Sequence, residues 1–212
     1  MSNLDSSTPQ PIVPAKSPPG WWLFLKKFLQ RGRTIASFAP SSSYMVRSML
    51  RGIDFASCEY VVELGGGTGP VTAELLRRAG NRCKVLIVEL DPDLCQHLRQ
   101  RFPEADIVEA DAIELDKLLA DRGVTKVDHI LSGLPLPSIP EPARTGILKL
   151  AGQCLKPGGT FRQLTIMPLI YRGLYRKHFE SVQFQFVPLN LPPGGVYICR
   201  EPRNQQPDNS PH

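Results

Sequence analysis

The residues best suited to chemistry are a few acids and glycines in the middle of a 212-residue chain. Val61-Val62-Glu63-Leu64 is a brief apolar run with an acid near its end, and Gly65-Gly66-Gly67-Thr68-Gly69-Pro70 follows at once. From Val71 to Ala79 the pattern turns helical. The order strand, tight loop, helix is the opening of a nucleotide-binding α/β unit. Glycines in such a loop let the backbone come closer to a ligand than any side chain would permit. The spacing narrows the choice of ligand. A dinucleotide fingerprint needs G-x-G-x-x-G. Counted from Gly65 its third glycine falls on Pro70, and counted from Gly66 its second falls on Thr68. No Gly-Lys-Ser/Thr occurs, which excludes a P-loop. What stands is Glu63-x-Gly65-x-Gly67-x-Gly69.

Two more acids extend the pattern. Lys84-Val85-Leu86-Ile87-Val88-Glu89-Leu90 reads as a strand buried on both faces, as in a parallel sheet. A carboxylate at its end, Glu89, can accept both hydroxyls of a ribose. Ala105–Ala112 reads as a third strand ending in Asp111. Any one of these acids could be a helix cap or a solvated strand end. Three acids closing successive strands, the first beside the glycine loop, point to one ligand instead. The set resembles the first motifs of the class I S-adenosylmethionine-dependent methyltransferases. That resemblance implies S-adenosylmethionine as cofactor, S-adenosylhomocysteine as product, and no metal. It places Glu63, Gly65, Gly66, Gly67, Thr68 and Gly69 around the cofactor, with Glu89 and Leu90 at the ribose. Asp111 and Ala112 fall at the adenine, and Ser132 closes the site.

The elements that must position these residues follow from periodicity. Strands are expected at Tyr60–Leu64, Lys84–Leu90, Asp106–Ala110, Val127–Ser132 and Thr160–Ile166, with closing strands at Val182–Val187 and Gly195–Arg200, the last antiparallel. Helices are expected at Tyr44–Leu50, Thr68–Ala79, from Asp91-Pro92 to about Phe102, around Ile113–Ala120, and at Ala143–Leu155. Lys156-Pro157-Gly158-Gly159 reads as a stop signal between that last helix and the fifth strand. With the resemblance, the fold class expected is α/β: a Rossmann-like class I methyltransferase with a mainly parallel seven-stranded sheet, helices on both faces, and N-terminal amphipathic helices. Ligands of doubly wound sheets sit beyond the carboxyl ends of the strands, so Glu63, Glu89, Asp111 and Ser132 are expected to face one crevice.

Length suits one domain with modest extensions, and 42% hydrophobic residues can form a core. The division is a Ser/Pro-rich tail at 1–20 expected to be disordered, an amphipathic and lid region at 21–52, the methyltransferase domain at 53–201, and a flexible tail at 202–212. Five scattered cysteines without C-x-x-C suggest neither a zinc site nor a disulfide framework. No apolar run is long enough to span a bilayer. Charge is unevenly spread. From Lys16 to Arg51 there are seven bases and no acid, whereas Asp54 to Asp128 holds fifteen acids and nine bases. An anionic partner for the N-terminal arm is implied. Within it Trp21, Trp22, Phe24, Leu25, Phe28 and Leu29 fall on one arc of a helix, opposite Lys26, Lys27, Arg31 and Arg33. That is the pattern of an interfacial membrane helix, or of a helix packed on the domain with a solvated basic side.

The acceptor is read at the end of the fourth strand, Ser132-Gly133-Leu134-Pro135. N-methyltransferases acting on adenine or amide nitrogen carry Asn/Asp/Ser-Pro-Pro-aromatic or Asn-Leu-Pro-aromatic there. This chain has Gly133 where asparagine is usual and Leu136 in place of the stacking aromatic, which argues against a flipped base. Phe38-Ala39-Pro40-Ser41-Ser42, the glycine motif, Glu89-Leu90-Asp91-Pro92, Ser132-Gly133-Leu134-Pro135, Leu155-Lys156-Pro157-Gly158-Gly159 and Leu191-Pro192-Pro193 together resemble the bacterial phospholipid N-methyltransferases. The likeness runs from about Phe24 to Arg200. Departures are Gly66, where proline or alanine is more usual, and Leu136. The resemblance implies methylation of phosphatidylethanolamine towards phosphatidylcholine, with ornithine lipid as the alternative headgroup and ribosomal RNA adenine as a second alternative. It implies a peripheral place on the cytoplasmic face of the membrane, no nucleic-acid partner, and a monomer. A further reading keeps a cofactor-binding or membrane-docking module without chemistry. Tyr44 is the candidate proton acceptor for the amine, since it follows the Pro-Ser-Ser turn on a helix that could cover the crevice. Ser41, Ser42 and Arg47 could meet a lipid phosphate, and Gly133, Leu134 and Pro135 the headgroup. His129, inside a strand, is read as packed.

Overall fold

A computed structural model describes residues 43–166, 171–190 and 192–203. A seven-stranded sheet runs in the order β3-β2-β1-β4-β5-β7-β6. Its strands are β1 (Tyr60–Leu64), β2 (Lys84–Glu89), β3 (Asp106–Glu109), β4 (Val127–Ser132), β5 (Leu155–Thr165), β6 (Phe179–Val187) and β7 (Gly194–Pro202). The first five pair in parallel, and β7 runs antiparallel between β5 and β6. The helices are α1 (Ser43–Leu50), α2 (Pro70–Ala79), α3 (Pro92–Arg101), α4 (Leu115–Ala120), α5 (Ala143–Cys154) and the short α6 (Arg172–Arg176). Residues of α1, α2 and α3 pack on one face of the sheet and those of α4, α5 and α6 on the other.

The strands start with β1 in the middle of the sheet, build outward to β3, then return to place β4 on the other side of β1. The switch point therefore lies between β1 and β4, where open α/β sheets bind ligands. The fully buried β1, and β2 buried from Leu86 to Glu89, explain their near-continuous apolar runs. Proline ends two helices' ambiguity: Pro70 and Pro92 stand in the first turns of α2 and α3. The α2 helix starts at Pro70 rather than Thr68, because Gly69 at φ 86° is left-handed backbone that no helix interior holds. Asp91 caps α3, its Oδ1 accepting from the N–H of Asp93 and Leu94.

One expectation needs correcting. Lys156-Pro157-Gly158-Gly159 does not separate helix from strand; it lies within β5. The pairing with β4 jumps there, from Val127 opposite Leu155 to His129 opposite Thr160. Gly158 takes φ 77° and Gly159 approaches so closely that a Cβ would stand 2.7 Å from the Asp128 carbonyl oxygen. The glycines let the strand absorb an irregularity instead of ending. The scattered cysteines are all free thiols, although two of them, Cys58 and Cys83 beneath β1 and β2, bring their sulfurs to 3.1 Å.

Candidate functional site

The glycine loop after β1 is held from three sides. Beneath it, Glu63 is buried in β1 and its Oε2 accepts the Thr72 hydroxyl of α2 at 2.8 Å. Burial pushes the Glu63 carboxyl up to about 8, with the Thr72 hydroxyl and the nearby Glu89 as smaller influences of opposite sign. At the side, Glu89 ends β2. Its Oε2 accepts from the Gly67 N–H at 2.8 Å, and its Oε1 from Leu90 and Asp91 N–H at 2.9 and 3.0 Å. Burial raises this carboxyl above its ordinary range, while the three N–H donors pull it back. A carboxylate offers roughly four acceptor positions, so three backbone bonds leave room for a ligand hydroxyl. Above, nothing stands within 4 Å of where a Gly67 Cβ would be, and the loop crest is open. A cradle with bare backbone at its crest beside a strand-end carboxylate fits a ribose-bearing cofactor.

The third side belongs to the loop after β4. Gly133 N–H donates to the Leu64 carbonyl at 2.9 Å, and Gly65 N–H to the Val88 carbonyl at 2.8 Å. A Cβ on Gly133 would lie 2.9 Å from the Gly65 carbonyl oxygen, and one on Gly65 would lie 2.9 Å from the Leu134 side chain. Gly133 thus holds the β4 loop against the β1 loop, which is why no asparagine occupies that position. Gly66, unusual in the motif, packs similarly: a Cβ would meet Ile87 and Leu98 at 2.8 Å. Ser132, wholly buried, accepts the Leu134 N–H on its Oγ at 3.3 Å. Asp111 follows β3, buried and raised in pKa by that burial, and accepts the Ile113 N–H on Oδ1 at 3.2 Å. Ala112, buried, begins a single 3-10 turn there.

Glu63, Glu89, Asp111 and Ser132 all stand at or beside the carboxyl ends of parallel strands, as the sequence implied. Glu63 differs from the others in lying under the glycine loop. Tyr44, in the first turn of α1, is 49% exposed; Arg47, one turn on, is exposed too, so the two share a face. The opposite face of α1 is buried, and the helix packs on α2, β5, β6 and β7. Ser41, Ser42, Leu191 and the segment Trp21–Arg33 lie outside the described residues.

Sequence reasoning missed the residues of β5. Arg162, 2% exposed, reaches from the sheet to the end of α1 and donates through Nη1 to the Met49 and Arg51 carbonyls at 3.0 and 2.7 Å. Its Nε donates to Thr160 Oγ1, which also meets His129 Nδ1 at 2.9 Å. Burial lowers the guanidinium to about 10 and His129 to about 4, so the histidine is neutral and packed. The cation suits the C-terminal end of a helix, where carbonyls lack partners. The neighbouring Gln163, also buried, donates from Nε2 to the Leu134 carbonyl at 2.8 Å and so fastens the loop after β4. Neither residue belongs to a local motif; each is found only by knowing which strands adjoin. Among the described residues no cluster of His, Cys, Asp or Glu could hold a metal, and no helix is long and apolar enough to cross a membrane.

Comparison with known proteins bears on this site. The family described as "Methyltransferase domain" matches residues 61–159. An ornithine lipid N-methyltransferase of Singulisphaera acidiphila is 43% identical over 183 residues, covering 85% of this chain and 95% of that one. A probable ribosomal RNA small subunit methyltransferase A of Methanosarcina mazei is 33% identical, covering 51% of this chain and 40% of that one. Among solved structures, a 1,6-didemethyltoxoflavin-N1-methyltransferase of Burkholderia thailandensis with bound S-adenosylhomocysteine superposes with a TM-score of 0.64 at 19% identity, over 92% of this chain and 93% of that one. An O-methyltransferase of Bacillus cereus in complex with SAH gives 0.63 at 12% identity, over 81% and 88%. These two likenesses concern the fold.

Proposed function

From the premise that the chain belongs to the family of class I S-adenosylmethionine-dependent methyltransferases that includes the ornithine lipid enzyme, we propose that it methylates the amine of an aminolipid headgroup, with ornithine lipid as the acceptor. The observation that carries this is the 43% identity extending over 95% of the ornithine lipid enzyme. Phosphatidylethanolamine, the headgroup the sequence put first, becomes the second reading: it shares the amine chemistry, while the broad likeness described above is to the ornithine lipid enzyme. Ribosomal RNA is less well supported, because the Methanosarcina enzyme aligns over only 40% of its length.

S-adenosylmethionine supplies an activated methyl group, so the protein's task is to bind, align and deprotonate the acceptor. The glycine loop and Glu89 are the proposed cradle for the cofactor, with Asp111 and Ala112 at its base and Ser132 at the acceptor side. A headgroup amine resembles lysine, whose ammonium loses its proton near pH 10, and only the free amine has a lone pair to attack with. Alignment in a water-poor crevice supplies much of the rate, and a proton acceptor supplies the rest. Tyr44 is proposed for that role, with Arg47 on the same face of α1 toward the lipid phosphate. Loss of turnover in Tyr44→Phe with cofactor binding retained is the expected result. The Trp21–Arg33 segment is proposed to lie in the surface of an anionic membrane. Each base near such a surface contributes about 1 kcal/mol, so Lys26→Glu with Lys27→Glu should weaken vesicle flotation.

The test is initial-rate methyl transfer from labelled S-adenosylmethionine to vesicles holding either ornithine lipid or phosphatidylethanolamine. A higher kcat/KM for ornithine lipid supports the first reading. A preference for phosphatidylethanolamine replaces it with the second, and transfer to neither refutes both.

A further inference from the structure

One rung of the sheet runs Leu64, Ser132, Gln163, Tyr197, Phe184 across β1, β4, β5, β7 and β6. Its β1 end is apolar, and past β4 it turns polar and aromatic. Gln163 is 1% exposed. Its Nε2 donates to two carbonyls, Leu134 and Leu164, both at 2.8 Å. That fixes the amide's orientation, because a flipped amide would set its oxygen against both carbonyls. Oε1 therefore points elsewhere, and it is buried with no hydrogen-bond partner. The Tyr175 hydroxyl, on α6 in the same core layer as Tyr197, is likewise buried and unpartnered. Tyr175 and Tyr197 bring their rings to 4.7 Å between centroids, and Phe184 and Tyr197 to 4.8 Å. An unmet buried polar group is costly, and in a native protein local strain, a catalytic role, a water or a ligand accounts for it.

The chemistry of the two groups limits what meets them. An amide oxygen only accepts, so the ligand must bring an N–H or O–H. Phosphate and carboxylate have nothing to give it. The Leu134 carbonyl is not the free acceptor at this corner, for it already receives both Gln163 Nε2 and the Leu136 N–H at 2.8 Å. Gln163 stands directly beside Ser132, at the loop that packs on the glycine cradle. Electron-rich ring faces nearby suit a nitrogen that gains methyl groups and charge. We infer that the Gln163 amide oxygen, with the Tyr175 hydroxyl and the Tyr197 ring on the same face of the sheet, recognises the acceptor's N–H-bearing nitrogen from the side opposite α1 and its Tyr44. The amide oxygen missing at Gly133 is supplied from the adjacent strand. This rests on the aminolipid reading for the identity of the amine. It also predicts a direction: each methyl removes an N–H, and a fully methylated headgroup has none to offer, so the site favours substrate over final product.

The experiment compares full-length wild type, Gln163→Leu and Tyr175→Phe on vesicles of ornithine lipid or phosphatidylethanolamine, with the trimethylated lipid as competitor. Cofactor affinity by calorimetry and Tm are followed in parallel. A site built to bond an N–H discriminates steeply once that bond is lost, so kcat/KM for the amine should fall about 100-fold in Gln163→Leu and about 10-fold in Tyr175→Phe. Cofactor affinity should stay within about twofold of wild type in Tyr175→Phe, whose hydroxyl touches no part of the cradle. The wild-type preference for amine over trimethylated lipid should shrink in both variants. Tyr175→Phe removes a hydroxyl that bonds nothing in the structure, so it should fold and can carry the test alone. Wild-type rates and wild-type discrimination in Tyr175→Phe and Gln163→Leu would mean that the oxygens hold only buried water. Parallel losses in acceptor rate, cofactor affinity and Tm would mean a purely structural glutamine. Either result overturns this inference while leaving the aminolipid reading in place. A wild type that methylates neither lipid removes that reading, and this inference with it.

Discussion

The β1–β3 side of the site is made of bare backbone and acids close together in sequence, and the β4–β7 side is made of side chains that arrive from distant parts of the chain. On the first side glycines at positive φ and strand-end acids do the work, all within Glu63–Asp111. On the second side Arg162 and Gln163 of β5 hold α1 and the loop after β4, neighbours more than a hundred and nearly thirty residues away in sequence. The difference explains how one fold keeps a constant cofactor and varies its acceptor. Backbone geometry tolerates few substitutions, whereas long-range side-chain contacts can be exchanged one at a time.

The largest effect should come from breaking the backbone side. Gly65→Val places a β-branched residue at φ 77°, where its Cβ would meet Leu134 at 2.9 Å. Cofactor binding should vanish in calorimetry, and because the displaced Leu134 belongs to the acceptor loop, no acceptor should be methylated. Retained binding would show that the two sides are not in register as described. Next, Arg162→Met strips the end of α1 of its donor and leaves the buried Met49 carbonyl and the part-buried Arg51 carbonyl without it. A loss of about 3 kcal/mol is expected in urea unfolding, with α1 loosened and, on the role proposed for Tyr44, kcat lowered. A stability change below about 1 kcal/mol would mean that α1 is held by packing alone. The smallest effect concerns Glu63. Its carboxyl, raised to about 8 when folded against an ordinary 4.5, binds its proton more tightly in the folded protein. That contribution is fully present below about pH 4.5 and is lost as pH rises to about 8. Glu63→Gln should flatten the dependence of Tm on pH in that window while leaving the acceptor side untouched. An unchanged slope would mean that Glu63 is ionised in the folded protein.

The same contrast governs what the sequence could reveal. The glycine loop, Glu89, Asp111 and Ser132 were legible because each is local: a strand, its last acid and its turn lie within a few residues. The strands themselves were legible because burial on both faces writes continuous apolar runs, as in Lys84–Glu89. Arg162 and Gln163 were not, since Thr160-Phe161-Arg162-Gln163 reads as ordinary alternation until β4, β7 and α1 are known to surround it. Lys156-Pro157-Gly158-Gly159 misled for a related reason. Proline and glycine mark a break in local terms, but here pairing with β4 resumes after the jump in register and carries the strand through. Gly133, read as a lost asparagine, acquires its meaning only from the Gly65 carbonyl against which it packs.

The central claim, that a backbone cofactor cradle is joined here to an amine site for lipid, is tested most directly by where the methyl group goes. Full-length protein and S-adenosylmethionine labelled in the methyl group would be incubated with a total bacterial extract, then separated into lipid and RNA fractions. Label in the lipid fraction, on an ornithine lipid headgroup nitrogen, is the predicted result. Label confined to RNA would contradict it, and would assign the basic N-terminal arm to nucleic acid instead of a membrane.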